Sequence, residues 1–298
     1  MHGVSYKKFL SGLKPRYWKV YADITWGYIG LFFSLIIAQF LTHIGYGLIA
    51  PALLGAIFVG YLVAYLTLFM HEASHYNIAP TRKLNDFLAN FLTCWLTGTS
   101  IKEYRTIHFE HHKKLGKVTD TENSYFNNLS PLFLIKTLLG VRALEVLLSR
   151  EKYAVKKKSS HNRFYWLVFG ISIHLLILSF FLEKNWITAA AAWILGIAVF
   201  FPFFNCLRQV LEHRDEEADK DINYKENNHG AITRNFGNDW FSKSFGSAGF
   251  NKHLLHHWEP QVSYTNFAKL EEFYLSSPMK NILLERQSTY WRVFLSLM

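Results

Sequence analysis

Four stretches of the chain are almost unbroken in apolar residues, and strongly polar segments lie between and around them. They run over about 24–41, 48–69, 164–182 and 186–206. Each approaches the ~20 residues that a helix needs to cross a bilayer. The uncharged turn at 43–47 separates the first two, and Glu183-Lys184-Asn185 separates the last two. The pattern predicts an all-α polytopic membrane protein in which four transmembrane helices form two hairpins. The alternative is a soluble protein with buried core helices. The uncharged length of the first, second and fourth stretches argues against it.

Two short connections leave three long polar parts, 1–23, 70–163 and 207–298. Four spans place all three on one side, so the chain reads as a single domain, 1–298, with a helical cap built from 70–163 and 207–298. The basic residues agree with one orientation. Lys7, Lys8, Lys14, Arg16 and Lys19 precede the first span, and Lys102, Arg105, Lys113, Lys114, Lys117 and the run Lys156-Lys157-Lys158 follow the second. The short connections hold a single lysine, Lys184. The cap and both termini are therefore expected to be cytoplasmic.

Two shorter apolar stretches remain. Residues 87–99 are too few to span and fit a re-entrant or interfacial segment. Residues 130–148 begin with Ser130 as a helix cap and Pro131 at the first helical position, and read as an amphipathic helix on the membrane surface.

Composition narrows this picture. Half of the residues are hydrophobic and 17% are aromatic, but the net charge is +10. The topology and anionic headgroups account for that charge, so no nucleic acid is expected as a partner. Cys94 and Cys206 lie inside apolar stretches, which gives neither a disulfide framework nor a thiolate metal site. The basic N-terminal segment lacks the pattern of a removable signal peptide.

The candidate chemistry lies in the histidines. The chain has 14. His71 and His75 form HEASH; His108, His111 and His112 form HFEHH; His253, His256 and His257 form HLLHH. Spacings of three and four bring side chains to one helical face. His213 lies just past the fourth span. By the topology, all of these lie on the cap side near the membrane surface, and such a concentration points to metal. Imidazole suits zinc, copper, iron and nickel. So many histidines exceed the needs of one zinc. A two-metal centre with nitrogen ligands fits O₂ activation by non-haem iron better than hydrolysis.

Two rival motifs share these residues. His71-Glu72-Ala73-Ser74-His75 is literally HExxH, which would make Glu72 the general base of a membrane zinc hydrolase. Glu72/His75 and Glu226/His229 also have the Glu-x-x-His spacing of soluble di-iron carboxylate proteins. The first reading leaves two HxxHH boxes without a role. The second places Glu226 in a stretch without helical periodicity.

The three boxes, in this order and spacing, resemble those of the integral-membrane fatty acid desaturase superfamily, which also contains hydroxylases and ketolases. LEHR around His213, Thr233-Arg234 and LGKVTDTE after the second box are similar to further family features. The resemblance runs from about residue 70 to 260. It implies a cap holding two Fe ions, with His71, His75, His108, His111, His112, His213, His253, His256 and His257 as ligands. It also implies contact of Gln209 with the site through water. His229 is expected in a loop beside the metals rather than on one, and His2, His43, His161 and His174 are expected to be non-ligands.

The implied reaction uses O₂ to introduce a double bond into an acyl chain or related apolar lipid. The same superfamily offers hydroxylation or ketolation as the alternative. No electron-transfer motif is present in the sequence. A separate donor (ferredoxin, cytochrome or reductase) is therefore expected, and the basic face would attract an acidic one. Trp95, Phe200, Phe203 and Phe204 are candidate walls of the substrate pocket. A metal-binding protein without catalysis is a further alternative.

Overall fold

The computed structural model describes residues 6–117, 119–142, 144–146, 148, 161–214, 222, 224, 226 and 232–298. Among them the chain is all-α, with a lone bridge between Asn235 and Gln287. A short α1 (Tyr6–Ser11) precedes α2 (Tyr17–Leu41), which a π turn extends to Tyr46, and then α3 (Ile49–Ser74). After α4 (Arg82–Leu92), α5 (Ile101–Lys114) and α6 (Pro131–Leu138) comes α7 (His161–Glu183). The fourth long helix is α8 (Ile187–Leu195) and α9 (Phe201–His213), joined by a π turn at Gly196–Phe200. Short helices follow: α10 (Trp240–Phe245), α11 (His253–Trp258), α12 (Phe267–Leu275), α13 (Lys280–Glu285) and α14 (Tyr290–Leu297).

The four expected spans are present as helices of 21–30 residues. They overrun the apolar stretches, because backbone hydrogen bonding does not stop where hydrophobicity does. The second therefore carries His71 on its last turn instead of ending before it, and the fourth ends on His213. The second span is the most buried of the four and the third the least. Small residues explain why α3 can be central. A Cβ on Gly55 would lie 2.7 Å from Ala38 Cβ, and one on Gly60 only 2.3 Å from Phe200 Cβ. One on Gly196 would lie 2.4 Å from Val59 Cγ1. Close backbone approach through small residues is how membrane helices gain van der Waals contact without a hydrophobic driving force.

The expected surface helix at 130–148 is interrupted. Ser130 caps α6 by accepting the Phe133 N–H, and Pro131 opens it, as expected. The helix ends at Leu138, and Gly140 turns the chain at φ +74°. Such a left-handed residue terminates a helix at low cost when it is glycine. Leu132, Ile135 and Leu139 are exposed. Residues 87–99 also divide. Phe87 and Phe91 on α4 are exposed, whereas Cys94, Trp95 and Leu96 form a buried 3₁₀ turn against the spans. The Lys156-Lys157-Lys158 run lies outside the described residues.

Candidate metal centre

Four elements deliver the nine histidines of the three boxes and His213. The first box ends α3, with His75 as its C-cap. The second box lies on α5, whose start is fixed by Ser100: its Oγ accepts the Glu103 N–H at 3.3 Å, a cap worth about 1 kcal/mol. His213 ends α9. The third box forms α11, entered through Ala248 and Gly249, both at positive φ.

Arg105 joins the first two boxes. Its Nε donates to Ser74 O at 2.9 Å and its Nη2 to Ala73 O at 3.2 Å. These are carbonyls at the α3 C-terminus, where a cation is favoured. Asp86 pairs with the same guanidinium, which also stacks 3.9 Å over the Tyr76 ring. Glu72 joins the first box to the third by accepting the Tyr264 N–H at 3.2 Å.

The nine rings fall into two groups. His71, His75, His108, His112 and His256 form one; His111, His213, His253 and His257 form the other. Within each group one donor atom per residue lies within 4.8 Å of all the others. Neighbours in the sequence separate: His111 and His112 go to different groups, and so do His256 and His257. The groups adjoin, with the His112 and His257 rings 4.7 Å apart and His71 and His253 6.4 Å apart.

The donor atoms suit metal ions. In the first group His108 Nε2 lies 2.9 Å from both His75 Nε2 and His112 Nε2, and His112 Nε2 lies 2.9 Å from His256 Nε2. In the second, His253 Nε2 lies 2.8 Å from His213 Nε2 and 3.1 Å from His257 Nε2. A neutral imidazole carries one proton, so these contacts cannot all be hydrogen bonds. Nitrogens at right angles around a metal, at about 2.1 Å from it, would be about 3.0 Å apart. Neither ring nitrogen of His71, itself fully buried, has a hydrogen-bond partner.

Burial favours the neutral form of several of these rings, which is the form that ligates. Burial first, and then repulsion from neighbouring histidines, holds His112, His253, His256 and His257 well below the ordinary histidine value. Burial lowers His108 as well, with Glu122 opposing it.

Several residues around the rings went unassigned in the sequence. Asp120 is fully buried and lies 2.9 Å from His111 Nδ1 through either oxygen. Tyr125 also donates to it. Glu122 lies 3.7 Å from His108 Nδ1 and accepts from Gln209 Nε2 at 3.3 Å. Gln209 is thus beside the rings, one turn before His213. LGKVTDTE carried the only signal for Asp120 and Glu122, and spacing does not show which ring each would meet.

The other histidines differ. His43 is exposed in the turn between α2 and α3, at the far end of the spans. His174 accepts from Trp193 Nε1 at 3.2 Å and lies 3.3 Å from Leu96 O, as a staple between helices. His2 and His229 lie outside the described residues, as does the His161 side chain, so only Glu226 of the Glu226/His229 pair is described. Trp95 donates to Tyr28 Oη at 3.1 Å inside the core, and Phe204 packs edge-on against Tyr61.

A family model described as fatty acid desaturase matches residues 47–288, which includes all nine grouped histidines. A comparison with curated proteins finds no significant match.

Proposed function

Because the chain belongs to the fatty acid desaturase family, a group of membrane oxidoreductases acting on lipids, we propose that it is an O₂-dependent enzyme with two irons that introduces a double bond into an acyl chain or related apolar lipid. One observation carries the reading. Nine buried or half-buried histidines from four elements converge as adjoining groups of five and four.

His71, His75, His108, His112 and His256 would hold one iron, and His111, His213, His253 and His257 the other. The four-histidine group would leave more positions for a non-protein ligand, and Gln209, one turn before His213, is the candidate to contact the site through water. The chemistry the pair supplies when bound is reduction of O₂ with removal of hydrogen from an unactivated carbon, two electrons coming from an external donor. The protein's share is placement and exclusion of water. Arg105 and Glu72 bind the boxes to one another, and burial favours the neutral, ligating form of His112, His253, His256 and His257. A ferredoxin, cytochrome or reductase is the expected donor. The metal site lies where the spans meet the cap, which suits an apolar substrate entering from the bilayer. The distribution of basic residues supports a cytoplasmic position for that side and both termini.

The whole chain, 1–298, acts as one domain in this reading. Residues before the family match support this: the Arg16 N–H donates to Thr265 Oγ1 at 3.1 Å, and Lys14 O accepts from Asn266 Nδ2 at 2.8 Å. The same centre would serve hydroxylation or ketolation if an oxygen atom were delivered to the carbon. The zinc-hydrolase alternative needs Glu72 free to activate water, but its carboxylate is engaged by Tyr264 and Ser263.

The test is mass spectrometry of lipids from cells with and without the protein, beside the iron content of purified protein. Loss of two hydrogens from a lipid and two irons per chain are expected. Gain of one oxygen would transfer the reading to hydroxylation. Activity without O₂, or a single zinc per chain, would overturn it.

A further inference from the structure

The two histidine groups are not supported alike. The outward nitrogen of a ligating imidazole decides its tautomer and how firmly the ring is aimed. In the five-histidine group, Nδ1 of His75 and of His108 has no hydrogen-bond partner, although Glu122 lies 3.7 Å from the latter, and His71 has none at either nitrogen. In the four-histidine group Nδ1 of His253 also lacks a partner, but His111 Nδ1 meets both oxygens of Asp120 at 2.9 Å. His213 Nδ1 lies 3.3 Å from a carbonyl, Ile232 O. Both acceptors can only receive a proton, so Nδ1 carries it and Nε2 is left with its lone pair turned inward.

Asp120 is itself held. Its Oδ1 accepts the Glu122 N–H at 2.9 Å and its Oδ2 accepts the Tyr125 hydroxyl. Tyr125 Oη in turn accepts the Gly116 N–H at 3.0 Å. Gly116 and Asp120 bracket the turn that leaves α5, so the clamp is tied to the helix that carries the second box. The Asp120 carboxylate therefore has little freedom to follow another partner.

Building on the two-metal reading above, we propose that Asp120, clamped by Tyr125, is a positioning residue that sets the metal affinity of the four-histidine group and leaves the five-histidine group unaffected. Loss of such a support typically weakens metal binding by about 10–100-fold. Asp120→Asn keeps an acceptor but loses the charge, and belongs at the lower end. Asp120→Ala belongs at the upper end. Tyr125→Phe, which leaves Asp120 in place and fills the same volume, should weaken binding by less than either.

The experiment is a titration of the metal-free full chain in detergent with Co(II), followed by its visible absorption and by equilibrium dialysis. Wild type should bind two equivalents. In Asp120→Ala, one equivalent should bind as in wild type and the other about 100-fold more weakly. The His257→Ala background already lacks a ligand of the four-histidine group, and there Asp120→Ala should add nothing to the loss. The His256→Ala background should show its full effect. If wild type binds two equivalents and Asp120→Ala binds both unchanged, the inference fails while the two-metal reading stands. Equal weakening of both equivalents also overturns it, since Asp120 would then serve the fold at large. Wild type binding fewer than two equivalents overturns the two-metal reading itself. Should Asp120→Ala not fold, Tyr125→Phe decides: a selective loss of one equivalent upholds the inference, and two unchanged equivalents reject it.

Discussion

The carboxylate of Glu72, in the first histidine box, accepts a hydrogen bond from the backbone N–H of Tyr264, seven residues beyond His257 of the third box. Tyr264 also donates through its hydroxyl to Asp23 on α2. One residue of HEASH thus fastens the second span to the chain leaving the third box, and through Tyr264 to the first span.

This relation predicts a split between two variants. Glu72→Gln keeps an oxygen for the Tyr264 N–H and should retain most product formation. Glu72→Ala leaves a buried donor unsatisfied, at a cost of about 1–3 kcal/mol. It should lower the melting temperature and the metal content together. Abolition of activity by Glu72→Gln at unchanged metal content would restore the glutamate as a general base, and with it the hydrolase.

A second prediction follows from adjacent histidines that part company. His256 belongs to the five-histidine group and His257 to the four. His256→Ala should deplete one metal and His257→Ala the other, each leaving about one per chain. Combining His112→Ala with His256→Ala should cost little more metal than either alone, because both act on one site. Combining His256→Ala with His257→Ala should empty both. Metal analysis of purified variants checks the pattern, and identical losses from all four variants would refute the partition.

That partition marks the limit of what the sequence makes legible. The nine residues stand out because each box repeats histidine at helical spacing, and the four spans because a bilayer imposes length and polarity. Successive residues on a helix point about 100° apart. The sequence can therefore say that His111 and His112 diverge, but not which ring each meets. Arg105 was legible only as a basic residue of the cap. Its contacts with Ala73, Ser74 and Asp86 come from the folding of α4 and α5 onto the end of α3, and no local pattern encodes them. Gly140 shows the opposite case, a local signal outweighed by the apolar run around it, which hid the end of α6.

Arg105 gives the third prediction. Its guanidinium satisfies two helix-end carbonyls and one largely buried carboxylate. Arg105→Ala leaves Asp86 without that partner and should cost about 3–5 kcal/mol. Arg105→Lys keeps the charge but not the fork that reaches carbonyls and carboxylate at once, and should fall between the two. Thermal unfolding in detergent measures the order. A melting point for Arg105→Ala equal to that of wild type would deny the residue its bracing role.

The packing of the second span against the fourth gives another. A Cβ on Gly60 would fall 2.7 Å from the Phe200 backbone carbon as well as 2.3 Å from its Cβ. Backbone cannot step aside as a flexible side chain can. Gly60→Ala should therefore cost about 1–3 kcal/mol despite alanine's better helix propensity. Gly30→Ala, whose added atom meets only the far end of Leu62 at 3.2 Å, should cost less. The comparison of melting temperatures tests whether backbone proximity or helix propensity governs these positions.

Metal removal should loosen the centre. His108 Nε2 lies 2.9 Å from two other Nε2 atoms, and neutral rings cannot supply a proton to every such contact. With a cation present, each lone pair has a partner. Without one, lone pairs face each other in a buried setting, and the rings relieve this by moving apart. The cost falls first on the elements that carry these rings, α5 and α11 above all. Chelation should therefore lower the melting temperature and expose the α5 and α11 amides to hydrogen exchange, while the core of α3 stays protected. Returning Fe(II) should reverse both changes. At a free metal concentration near 100 times the dissociation constant, each site would restore about 2.7 kcal/mol. Exchange that does not change on chelation would mean that the protein holds the rings together without metal, and the two-metal reading would lose its physical basis.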